Sequence, residues 1–103
     1  MKRITMALAS VGTALVLTVG LAGSSYASAE GVFLYTTASG DQETVDNPSL
    51  DRCYNRAGDG HAVNKTNKTV LLFRRSGCVG SPQQIRPGDH AFDITFESLE
   101  FPS

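Results

Sequence analysis

The chain reads as an all-β domain built from two similar halves, and three observations carry that reading. The short apolar runs at residues 32–35 and 70–73 have the length of buried strands. Clusters of turn formers separate the candidate strands: Ser39-Gly40-Asp41, Asp46-Asn47-Pro48, Gly58-Asp59-Gly60, Gly80-Ser81-Pro82 and Pro87-Gly88-Asp89. The run Gly31-Val32-Phe33-Leu34-Tyr35 recurs about 38 residues later as Thr69-Val70-Leu71-Leu72-Phe73, and at the same offset His61-Ala62-Val63 falls on Leu99-Glu100-Phe101. Two units of that length, each opening and closing on a short apolar strand, describe a duplicated β motif. No stretch keeps a 3.6-residue apolar period long enough for a helix, although residues 49–54 leave room for a single helical turn.

The first element is a leader. Lys2 and Arg3 form a basic start, residues 4–22 are uncharged and rich in Ala, Leu, Val and Thr, and Ala27-Ser28-Ala29 makes an A-x-A cleavage site. A retained membrane anchor is the rival, because the uncharged stretch is nearly long enough to span a bilayer. Gly12, Gly20 and interspersed Ser and Thr dilute it, and no basic stop-transfer cluster follows. Residues 1–29 are therefore read as a signal peptide of bacterial type, cleaved after Ala29. Residues 30–103 are read as the secreted, extracellular domain.

Removing Lys2 and Arg3 moves the net charge from −1 to about −3, since all ten acidic residues lie beyond Ala29. That balance gives no general attraction to nucleic acid or anionic lipid. The charges are segregated, however. Every basic residue of the mature chain lies between Arg52 and Arg86, while the N-terminal third and the segment after Pro87 hold most of the acids. A solvated surface and a polar binding face both fit this distribution.

A domain of about 74 residues gains only a few kcal/mol from its core, so a covalent staple is expected. Cys53 and Cys78 are the only cysteines, and export favours a disulfide between them. Closing a loop of about 26 residues contributes on the order of 3 kcal/mol by restricting the unfolded chain. Zinc binding and a reactive thiol are the competing readings. Two cysteines without a CxxC spacing make a poor metal site, and oxidation consumes a free thiol.

Between the two repeats, Asn64-Lys65-Thr66-Asn67-Lys68-Thr69 reads as a polar turn joining the strand around Val63 to the one beginning at Val70. It contains two glycosylation sequons, which are incidental in a bacterial host. Further on, Phe92, Ile94 and Phe96 alternate with Asp93 and Thr95 at the strand period, and these phenylalanines are expected in the core. Leu99 and Phe101 also alternate, but out of phase with that set. A bulge or tight corner at Glu97-Ser98 must shift the register.

These residues carry a resemblance. Val-Phe-Leu-Tyr, a Gly-containing loop, Asn55-Arg56-Ala57 and Ala62-Val63-Asn64-Lys65-Thr66 look like the first half of a βγ-crystallin-type Greek-key domain. Val70-Leu71-Leu72-Phe73, Cys78-Val79-Gly80, Pro87-Gly88 and Phe96-Glu97-Ser98-Leu99-Glu100-Phe101 fit the second half. Across nearly the whole mature chain the pattern is similar to that of small secreted bacterial proteins that include the actinomycete metalloproteinase-inhibitor family. The resemblance implies two Greek keys packed as a small sandwich with pseudo-twofold symmetry. It also raises calcium, which the family often binds through paired Asp/Asn residues followed two positions later by Ser/Thr-Ser. Here the second-half equivalent is residues 93–98, with Ile94 in place of an oxygen-bearing residue and Glu97 in place of the hydroxyl. The first-half equivalent lies near Asp59. Calcium takes six or more oxygens, so Asp59, Asp93 and Glu97 are candidate ligands of a degenerate site kept as a structural corner, and no cofactor is expected.

Catalysis is not expected. Ser76, His90 and Asp89 can be combined as a triad, but no nucleophile motif supports them, and His61 and His90 are each read as sitting in a Gly/Asp-rich loop where surface histidines are common. There is no P-loop, dinucleotide glycine pattern or metal-ligand cluster. What remains is protein binding by a domain that is monomeric alone. As the resemblance implies, the first reading is a secreted protease inhibitor. Its contact loop would be the basic turn Arg74-Arg75-Ser76-Gly77-Cys78, anchored by the disulfide, with Arg74, Arg75 and Ser76 touching the partner. Two arginines also invite trypsin-like cleavage. The second reading is an adaptor or subunit of a secreted, toxin-type assembly, docking through an edge strand or the Arg74-Arg75 face. A killer-toxin-like or calcium-binding protein of the same fold comes third. A membrane-active toxin would carry positive charge or an amphipathic helix, and this chain has neither.

Overall fold

A strand whose apolar residues alternate can hide only one face, so such strands pair into sheets and the sheets stack face to face. The computed structural model describes residues 27–103. Of the leader read from the sequence, only Ala27, Ser28 and Ala29 fall among the described residues. Eight strands follow in order: β1 (Gly31–Thr36), β2 (Gln42–Asp46), β3 (Cys53–Tyr54), β4 (Gly58–Thr66), β5 (Val70–Phe73), β6 (Gln83–Ile85), β7 (His90–Phe96) and β8 (Ser98–Glu100). They form two four-stranded antiparallel sheets, ordered β2-β1-β4-β7 and β3-β8-β5-β6. Each sheet takes three strands from one half of the chain and one strand from the other. The third strand of each half, β3 or β7, crosses to its neighbour's sheet.

The all-β expectation holds. The helical turn expected over residues 49–54 does not form. Ser49 bridges to Ser28, Leu50 bridges to Phe101, Asp51 turns with positive φ, and Cys53 already begins β3. Tertiary pairing of these residues takes up the backbone groups that a helical turn would have bonded internally.

The strand pairing of the first half recurs in the second, at an offset one residue shorter than the sequence suggests. Tyr35 pairs with Ala62 as Leu72 pairs with Leu99, and Ala91 pairs with Ala62 as Tyr54 pairs with Leu99. Leu72, Leu99 and Ala91 stand 37 residues after Tyr35, Ala62 and Tyr54, rather than 38. The difference is one residue, and in a strand one residue exchanges the two faces. An offset of 38 would match half-buried Val32 with fully buried Val70.

Between the sheets lies an aromatic cluster. Phe33 lies 5.7 Å from Tyr35, 6.4 Å from Phe96 and 6.0 Å from Phe101, measured between ring centroids, and Tyr35 meets Phe96 at 5.5 Å. Val70, Leu72, Ile85, Ile94 and Leu99 complete the core. Each such side chain contributes about 1.5–3 kcal/mol by burial. Gly58 lets the Phe96 ring lie against the β4 backbone, because a Cβ there would stand 2.3 Å from Phe96 Cζ. Gly31 has φ +115°, and a Cβ there would meet the Lys65 carbonyl. Ala29 is also fully buried in this core, with its N–H on the Pro48 carbonyl at 2.8 Å, and the Ala27 carbonyl accepts from Leu50 N–H at 2.7 Å. Of the A-x-A residues, Ala29 is buried in the domain, while Ala27 and Ser28 are exposed and joined to it through the Ala27 carbonyl and the Ser28–Ser49 bridge.

At the end of β7 the chain changes sheets as the phase shift requires. Phe96 closes β7, Glu97 bends with its N–H on the Phe73 carbonyl at 2.8 Å, and Ser98 opens β8 in the other sheet. The expectation that Phe92 lies in the core is overturned, since it is 71% exposed. A bulge is responsible: the β4–β7 register jumps from Gly60↔Ile94 to Ala62↔Ala91, setting Phe92 and Asp93 opposite the single residue His61. Asp93 takes φ 55° there. Inward faces go to Ala91, Ile94 and Phe96, and Phe92 turns out.

Candidate functional site: a braced loop beside an open groove

The β5–β6 connection, residues 74–82, leaves the sheet after Phe73 and carries the basic turn singled out in the sequence. Arg74, Arg75, Ser76 and Gly77 are all exposed. Their backbone is held at three points. Cys78 is joined to Cys53, with the Cα atoms 5.9 Å apart, so the expected disulfide is present. The buried Ser98 hydroxyl donates to the Arg75 carbonyl and accepts from Cys78 N–H at 2.9 Å. Asn55 Oδ1 accepts from Gly77 N–H at 2.7 Å. Gly77 (φ 84°) and Cys78 (φ 56°) both adopt the left-handed conformation that reverses the chain. Arg74 and Arg75 have no carboxylate partner, because the one ion pair among the described residues is Arg86–Asp89 at 3.4 Å.

Arg74 also lines a shallow open groove of about 230 Å³, shared with Leu72, Gln83, Asp93, Ile94 and Thr95. The groove runs between β6 and β7, the edge strands of the two sheets, each paired on one side only. The structure therefore brings Arg74 and Asp93 to one feature, although sequence reasoning assigned them to different tasks. Ser76 lies on the loop but not on the groove lining.

The three candidate calcium ligands do not converge. Asp59 Oδ1 accepts from the Thr95 hydroxyl at 3.4 Å across the β4–β7 pair, Asp93 sits in the bulge, and Glu97 occupies the sheet-changing bend. Among the described residues no three His, Cys, Asp or Glu side chains gather as a metal-holding group. The Ser76, His90, Asp89 combination is not assembled either. Asp89 pairs with Arg86, and His90 Nδ1 lies 3.1 Å from His61 Nε2. Both histidines lie in strands rather than loops, on neighbouring β4 and β7. Sequence reasoning missed this pairing, together with the braces Asn55 and Ser98. Only the cross-strand register reveals the first, while the place of Asn55 two residues after Cys53 was a usable hint.

One carboxylate has a perturbed proton affinity. The backbone N–H of Ser103 donates to Asp51 Oδ1 at 2.9 Å, and together with the Ser103 side chain it holds Asp51 below the usual carboxylate range. No helix among the described residues is long and apolar enough to cross a membrane. No protein-family model, no curated protein and no solved structure matches this chain.

Proposed function

We propose that this chain is a secreted, non-enzymatic protein-binding module of the protease-inhibitor kind, presenting the β5–β6 loop to its partner. In fold it is a pair of Greek keys of βγ-crystallin type. The exchange of β3 and β7 between sheets, at equivalent places in the two halves, supports that finer description. The disulfide fits an extracellular home.

The observation that carries the function is the bracing of one exposed loop. Its backbone is fixed by Cys53, Asn55 and Ser98 while its side chains face solvent. A loop already held in its bound shape loses little conformational entropy on docking, and a cleaved bond in such a loop stays in place. Exposed Arg74 and Arg75 direct it toward a trypsin-like protease, whose specificity pocket carries a carboxylate. The test is inhibition of such a protease by the intact secreted protein. One-to-one inhibition that is lost in the Arg74→Ala/Arg75→Ala variant and on reduction supports the reading. Rapid cleavage after either arginine without inhibition refutes it.

An adaptor role is the second reading, and the β7 edge favours it. That strand has an unpaired side next to the groove and displays exposed Phe92, which suits strand addition by a larger secreted partner. Retention of such a partner by the Arg74→Ala/Arg75→Ala variant, with no protease inhibition, separates this role from the first.

A further inference from the structure

We infer that His61 and His90 form a two-nitrogen chelating site for a divalent transition-metal ion, with copper(II) bound most tightly. Ala62 and Ala91 face one another in the core, so their neighbours His61, His90 and Phe92 stand on the outer face of the sheet. His90 is opposite Val63, which makes His61 and His90 a diagonal pair on neighbouring strands, within reach for ring side chains. His61 Nε2 and His90 Nδ1 are 3.1 Å apart, the ring centroids are 5.3 Å apart and the planes differ by 18°. That combination puts the imidazoles nearly end to end, with the two nitrogens facing each other. Phe92 stacks on His61 at 4.8 Å and 17°, holding the plane of that ring.

Without metal, one ring donates its N–H to the other. With metal–nitrogen bonds of about 2.0–2.1 Å, donors at the observed spacing subtend about 95–102° at the ion. This lies between the right angle of a tetragonal copper(II) site and the tetrahedral angle of zinc. An ion beside the pair lies about 40° off the line joining the nitrogens, so each ring must turn by about that much in its own plane to aim its lone pair, and His90 is exposed and His61 half-buried. When both rings start neutral, a shift of tautomer frees the facing nitrogens and no proton is released. Imidazole nitrogens suit copper, nickel and zinc, and affinity rises toward copper. The remaining coordination positions stay open to water or to a group from a second molecule.

The test is titration of the secreted protein with copper(II) at neutral pH in a non-coordinating buffer, read by calorimetry and by nitrogen hyperfine coupling in electron paramagnetic resonance. The expected result is one saturable equivalent with two coupled imidazole nitrogens, with zinc binding more weakly. His61→Ala and His90→Ala should each weaken copper binding by about tenfold or more, because each loses the chelate. Thermal melting verifies that the variants keep the fold, and His90→Gln repeats the test with a polar side chain. No saturable binding, or binding that survives either substitution unchanged, overturns the inference.

Discussion

Asn64 is the buried polar residue on which the β4 end of the domain depends, and replacing it gives a sharp test of how the fold is held. It is fully buried at the end of β4. Its Nδ2 donates to the Lys68 and Ile85 carbonyls, each at 2.8 Å, and its Oδ1 accepts from Thr66 N–H at 3.0 Å and Thr66 Oγ1 at 2.7 Å. One side chain thus ties the turn between the halves to β6 in the opposite sheet. In Asn64→Ala the Thr66 hydroxyl can still serve the Lys68 carbonyl, which lies 2.9 Å away. The Ile85 carbonyl and Thr66 N–H each lose this partner, and at about 1–3 kcal/mol for each the loss is about 2–6 kcal/mol. A domain of this size holds about 4–11 kcal/mol in total. Asn64→Asp keeps the shape but turns a carboxylate oxygen toward two carbonyl oxygens. Burial and that repulsion raise the folded-state proton affinity of the new carboxyl above its unfolded value. Relative to wild type, Asn64→Asp should therefore be most stable below the unfolded carboxylate range and lose stability as pH rises through the folded value. Urea unfolding followed by far-ultraviolet circular dichroism, at neutral and acid pH, measures both effects. A loss below about 1 kcal/mol for Asn64→Ala, or a pH-independent difference between Asn64→Asp and wild type, would refute the reasoning.

Three further outcomes are expected. Gly58→Ala should destabilise by about 1–3 kcal/mol, because the new methyl drives into the buried Phe96 ring, and an unchanged urea midpoint would mean that the ring moves freely. A chain beginning at Glu30 should unfold more readily than one beginning at Ala27, by about 1–3 kcal/mol, having lost two backbone hydrogen bonds and buried Ala29. Equal melting curves for the two chains would show that residues 27–29 contribute nothing to the fold. Asp51 is held below its unfolded value by Ser103, so its contribution is present above the unfolded carboxylate range and fades as pH falls through the folded value. Asp51→Asn should flatten that part of the acid-unfolding profile, and a profile identical to wild type would contradict the role given to Ser103.

Much of the architecture was legible because it depends on local pattern. Apolar runs at strand length, glycine turns between them and a lone cysteine pair in a chain read as exported specify short strands and a staple. The phase break at Glu97-Ser98 announced the change of sheet, since alternation cannot reverse without a bend. What escaped depends on register between distant strands. The Phe92 to Phe96 alternation placed Phe92 inside because nothing local marks the bulge; its cause is the pairing with Gly60 and Ala62, about 30 residues earlier in the chain. The same ladder hides the His61–His90 contact, which no spacing along the chain suggests. Asn64 read as part of a polar turn because its carbonyl partner Ile85 lies 21 residues away. For the candidate site, the Arg74 to Cys78 turn was found from charge and the cysteine. Its braces were not, because Asn55 and Ser98 reach the turn from about 20 residues away along the chain, one before it and one across the β5–β8 pair.

The most direct measurement compares pull-downs by the tagged protein and by its Arg74→Ala/Arg75→Ala variant from the producer's culture fluid, read by mass spectrometry. A loop-borne protease-inhibitor role predicts that wild type recovers one protease in stoichiometric amount and that the double variant recovers none. Large non-protease secreted proteins on wild type, or the same proteins on both baits, would contradict it.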